Sequence, residues 1–143
     1  MILVCKYLMF ESFKNKMIQD CDVQENIDSP NNRRYRKYLC DILVADFQSG
    51  GLCYEMLEEI EKLEKGAIDY TQWDGNIFSA RCTRDGVQIY SHIDDADDAE
   101  TRPEGRFTLA EVKAALIGWR KFLYMPKSLD TRLVIELPET GTP

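Results

Sequence analysis

Ile77-Phe78-Ser79-Ala80-Arg81-Cys82-Thr83-Arg84-Asp85-Gly86-Val87-Gln88-Ile89-Tyr90-Ser91-His92-Ile93 decides the fold. Arg84-Asp85-Gly86 is a short-hairpin signal, because Asp-Gly adopts the turns whose twist matches that of paired strands. After the turn, Val87, Ile89 and Ile93 share one face, while Gln88, Tyr90 and His92 share the other. A period of two predicts half-buried antiparallel strands. Upstream, Tyr70 to Trp73 runs into Asp74-Gly75-Asn76, a second turn of the same kind. The centre of the chain is therefore expected to be a meander.

Helices flank it. Leu52, Met56, Ile60 and Leu63 recur at helical spacing from Leu52 to Lys65, with Glu58–Lys62 and Glu61–Lys65 as i,i+4 pairs. Gly66 follows as a left-handed C-terminal cap. On the other side, Thr108-Leu109-Ala110-Glu111 is a capping box opening a helix to about Tyr124. Its apolar stripe is Leu109, Val112, Leu116, Trp119 and Leu123, and Pro126 stops it. Met1 to Phe10 reads as a strand of the domain's own sheet, and Asp28 to Asn32 as a turn cluster. Tyr38 to Phe47, centred on Ile42 and Val44, reads as a strand paired with the first. Thr131 to Leu137 alternates as a final edge strand before a loose Gly-Thr-Pro tail. The expectation is an α+β fold: one domain over residues 1–143, a single antiparallel-rich sheet of about five to six strands, and two main helices.

At 143 residues and 16.6 kDa the chain buries enough surface to fold without a disulfide or metal. The apolar N-terminus is interrupted by Lys6, lacks a basic leader and is half the length of a membrane span, so neither signal peptide nor membrane segment is expected. Cys5, Cys21, Cys40, Cys53 and Cys82 are odd in number and match no zinc or redox spacing. They read as core-filling thiols of a cytoplasmic protein. A net charge of -7 argues against binding nucleic acid directly and leaves a basic partner open.

Six carboxylates, Asp94, Asp95, Asp97, Asp98, Glu100 and Glu104, stand against the single cation Arg102 within the polar loop after the meander. Ala96 and Ala99 interrupt the run and no central glycine supports it, so a calcium loop is not expected. Two readings remain: a solvated loop, or a docking surface for a cationic protein. His92, the one histidine, shares the Gln88–Tyr90 face near Asp94 and Asp95 and reads as a surface residue at a strand end or a partner contact. No nucleophile elbow, phosphate-binding glycine loop or Cys-His machine is present, so neither an enzyme nor a cofactor is expected. The basic run Arg33-Arg34-Tyr35-Arg36-Lys37 is too short for a nucleic-acid surface and acquires no role.

An acidic amphipathic helix, Trp73-Asp74-Gly75-Asn76, Asp85-Gly86-Val87, an acidic loop, and Thr108-Leu109-Ala110-Glu111-Val112 running to Trp119 and Phe122-Leu123 follow in that order. This layout, over about residues 51–125, resembles small bacterial immunity proteins of contact-dependent growth inhibition and other polymorphic toxin systems. It is also similar to YacL-type proteins. The first resemblance implies a cytoplasmic antitoxin that binds one cognate basic toxin domain, a nuclease by expectation; the exposed last strand separately leaves the expected state a monomer or weak dimer. The acidic surface would block the toxin's cationic active site, with Tyr90, His92, Asp94, Asp95, Asp97, Asp98 and Glu100 at the interface. The second implies a non-enzymatic adaptor.

Overall fold

The first strand finds its partner by turning straight back. In the computed structural model, which describes residues 1–11 and 16–138, β1 (Ile2–Phe10) pairs antiparallel with β2 (Lys16–Val23), Cys5 opposite Cys21. The last strand, β7 (Arg132–Glu136), lies on the other side of β1 with Leu3 opposite Ile135. The meander forms a separate sheet: β3 (Tyr70–Asp74), β4 (Phe78–Thr83), β5 (Gly86–Ser91) and the short β6 (Arg106–Phe107), in that order. Among the described residues the α+β fold thus holds two antiparallel sheets, of three and four strands, where a single sheet is expected from sequence.

The segment expected to pair with β1 is helical instead. Helix α1 (Pro30–Arg34), a π-helical turn (Tyr35–Cys40) and helix α2 (Asp41–Asp46) run on from one another. Ser29 caps the start, its hydroxyl accepting from Asn32 N–H, and Pro30 occupies the first turn. Tyr35, Tyr38, Leu39, Ile42, Leu43 and Phe47 are buried, a spacing of three and four that only a helix brings to one face. The β-branched Ile42 and Val44 suggest a strand, but tertiary packing overrides so weak a preference.

The two expected helices are present. Helix α3 (Gly50–Glu64) takes Gly50 and Gly51 into its first turn under a Ser49 cap, and Gly66 ends it at φ 75°. On its surface Glu61 pairs with Lys65 at 2.8 Å, but Lys62 takes Glu59 at 3.0 Å rather than Glu58. Helix α4 (Leu109–Leu123) opens on the complete Thr108–Glu111 capping box. It is the hub, packing against α3, β7 and β5 and so joining both sheets to one core. Trp119 is wholly buried and donates Nε1–H to the Phe47 carbonyl at 2.7 Å, while Phe122 stacks on Tyr7 at 4.8 Å. All five cysteines are buried free thiols. The Gly-Thr-Pro tail lies outside the described residues.

Two buried carboxylates tie irregular backbone to this core. Glu111 accepts from the Thr108 N–H and from the Tyr35 hydroxyl. Burial first, and then that bond, raises the Tyr35 pKa. Asp46, 4% exposed, accepts from the N–H groups of Asn76 (2.8 Å), Ile77 (3.1 Å) and Phe78 (2.7 Å) and so holds the β3–β4 turn from beneath. Gly75 is required there because a Cβ would collide with the Asp46 carboxyl.

Candidate functional site

The register of the four-stranded sheet places Tyr70, Gln72 and Asp74 beside Ser79 and Arg81, and these beside Gln88 and Tyr90, all on the face away from the core. Alternation along each strand sends Ala80, Cys82, Val87 and Ile89 toward the core and these polar groups to the opposite face, where Ser79 and Tyr90 are nonetheless covered. They bond to one another in a continuous network. Tyr70 donates to Gln72 (2.6 Å), and Gln72 Nε2 donates to Asp74 (3.0 Å) and to the Tyr90 hydroxyl (2.9 Å). Ser79 donates to Asp74 at 2.7 Å. The Ser79 hydroxyl and the Gln72 amide, together with nearby His92, hold the Asp74 carboxyl below its ordinary pKa.

His92 Nε2 lies 3.1 Å from both Ser79 Oγ and the Gly75 carbonyl. With the Ser79 proton already given to Asp74, both neighbours accept, so Nε2 carries the proton and donates. The wholly buried Ser79 hydroxyl is aimed at a carboxylate and His92 is spent as a donor, an arrangement that struts the turn instead of activating a nucleophile.

The acidic loop lies along β5 and is built, not loose. Two single-turn 3₁₀ helices, Ala99–Thr101 and Pro103–Gly105, shape it. Ala99 is buried, Gln88 donates to the Arg102 carbonyl at 2.9 Å, and Gly105 is pressed against the Ile89 carbonyl too closely for any side chain. Arg102 is the clamp. Its Nη1 meets Asp94 at 2.6 Å, its Nε and Nη2 meet Asp98 at 3.2 and 3.1 Å, and it lies beside the Tyr38 hydroxyl of the π-helical turn. Glu100 pairs with Arg81 of β4 at 3.2 Å. The Ala96 N–H and the Arg102 guanidinium lower the Asp94 pKa, so this carboxylate stays charged well into acid.

The sequence-assigned interface residues therefore fall into four groups. Tyr90 is buried and bonded to Gln72, with the Arg81 guanidinium over its ring, so it supports the loop instead of presenting a contact. Asp94, Asp98 and Glu100 are ion-paired, the last two with 70% and 58% of their side chains still exposed. Asp95 and Asp97 are exposed with no ion pair among the described residues. His92 is exposed but turned toward Ser79 and Gly75, not toward Asp94 or Asp95. Ile93, expected on the buried face, lies beyond β5 and is 83% exposed. Arg81 and Arg102 decide what the loop presents, although the sequence shows Arg102 only as the lone cation of the acidic run and gives no sign of Arg81. The i,i+4 spacing of Asp98 and Arg102 is the signal that could have found the second.

The basic run acquires a role in the fold. Arg34 reaches the Arg106 carbonyl at 2.8 Å and covers the rings of Tyr35 and Phe107; Arg36 meets Asp22 at 2.7 Å; Arg33 pairs with Asp28; Lys37 lies over Tyr38. A second acidic group joins Asp20 and Asp22 of β2 with Asp41 of α2; among the described residues Arg36 is ion-paired with Asp22, and Lys6 of β1 lies opposite Asp20. Burial, then repulsion from Asp20 and Asp22, pushes Asp41 up to about 6.

Among the described residues no three His, Cys, Asp or Glu side chains are placed to hold a metal ion, and no helix is long and apolar enough to cross a membrane. Comparison with protein-family models, with curated proteins and with solved structures finds no match to this chain.

Proposed function

We propose that the protein is an immunity protein: it binds a cognate secreted toxin domain and covers that domain's cationic active site with the acidic loop. The supporting observation is the clamped display of carboxylates. Arg102 and Arg81 fix the backbone from Asp94 to Gly105, so Asp95, Asp97 and the outer oxygens of Asp98 and Glu100 are presented with little ordering left to lose on binding. A fixed array of carboxylates mimics a run of phosphates, which makes the matching toxin a nuclease. Charge of this density also speeds encounter with a basic partner, and rapid association matters more than turnover to an inhibitor.

The test is co-expression with the product of the reading frame upstream, scored by survival and co-purification, followed by stopped-flow association. The triple variant D95N/D97N/E100Q is expected to lower the association rate about tenfold at low ionic strength and to flatten its salt dependence. Unchanged affinity and rate would remove the loop from the interface.

A further inference from the structure

We propose that two copies of the chain associate through β7, antiparallel and about a two-fold axis at Val134, joining their three-stranded sheets into one. Leu137 N–H bonds the Met1 carbonyl at 2.9 Å, so the odd-numbered residues of this segment face β1 and the even-numbered ones face away. The backbone groups of Arg132, Val134 and Glu136 therefore point to an edge where no hydrogen bond from the described residues reaches them. Natural edges are usually guarded by like charges, by proline or by a covering element. This edge has the reverse pattern, with opposite charges equally spaced about an exposed valine.

That spacing is self-complementary. With Val134 opposite its own copy, Arg132 falls opposite Glu136 of the second chain, and Glu136 opposite Arg132. Each such pair exchanges both of its backbone bonds, because even-numbered residues carry the outward groups. Within one chain Arg132 sits across from Lys6, a like charge, and Glu136 across from Ile2; neither has an ion pair among the described residues. A second copy supplies the missing counter-charge to both. Five residues a side is a small contact, in the weak and concentration-dependent class. This association is independent of the acidic loop, which belongs to the other sheet.

Sedimentation equilibrium of the full chain over a range of concentrations tests it. The expected result is a reversible monomer–dimer equilibrium. R132E and E136R alone each weaken it about tenfold or more, and the double variant R132E/E136R restores it. V134P, which removes an outward N–H that β1 does not use, abolishes the dimer with an unchanged circular dichroism spectrum. A chain that stays monomeric at every concentration, or a dimer indifferent to both single charge reversals, overturns the proposal.

Discussion

Two irregular segments border the four-stranded sheet, and both are held by charge-assisted hydrogen bonds of opposite polarity. The β3–β4 turn closes over a buried carboxylate, Asp46, that accepts from three backbone N–H groups. The loop from Asp94 to Gly105 closes under a surface guanidinium, Arg102, that donates to two carboxylates. Low dielectric strengthens the first and solvent weakens the second. The buried tie makes a fixed corner of the fold. The exposed one leaves carboxylates that are positioned and still able to meet a partner.

The sharpest way to break this contrast is at the corner. Asp46→Ala leaves three N–H groups without an acceptor and is expected to cost about 3 kcal/mol in chemical denaturation, at low and high salt alike. A loss that shrinks with added salt would put Asp46 in the same class as Arg102. Arg102→Met comes next. It is expected to accelerate amide hydrogen exchange across residues 94–105 while leaving the core strands protected, and added salt should weaken the loop of the natural chain toward that of the variant. Uniformly faster exchange would make the loop part of the core.

The smallest effect lies in the second acidic group, at Asp41. Asp41, at about 6 in the folded chain, has a raised pKa, so its contribution to stability is full below the unfolded carboxylate range and disappears as pH rises through 6. Asp94 runs the other way: its lowered pKa stabilises the fold above that range and is lost only as pH falls below it. Asp41→Asn should therefore flatten the pH dependence of the melting temperature between 4 and 6.5 and stabilise the protein near pH 7 by about 0.5 kcal/mol, the small value reflecting solvent screening. An unaltered pH profile would show that neither burial nor Asp20 and Asp22 raises Asp41 in the folded chain.

What could be read from the residues was local. The Thr108–Glu111 box, the Asp-Gly turns and Gly66 each set geometry within four residues, and each is found where the pattern places it. The helical run from Pro30 to Asp46 was also within reach, since Ser29-Pro30 is a helix start and the buried positions recur at three and four. Its β-branched centre pointed the other way. The second sheet was out of reach, because pairing of β1 with β7 joins opposite ends of the sequence and no short pattern encodes it. At the candidate site the acidic run was plain, but its anchoring was not. Asp46 and Arg81 act across 30 and 19 residues, distances at which spacing carries no information.

The pairing of β1 with β7 also sets an order of events during synthesis. Strand β1 emerges early and can fold back on β2 at once, yet its other edge waits for the last strand, when all four helices and the meander already exist. Until Ile135 arrives over Gly118, the flank of α4 is bare and the Leu3 edge of β1 unpaired. A growing chain is thus most exposed to stray strand pairing just before β7 is made, and β7 acts as the latch.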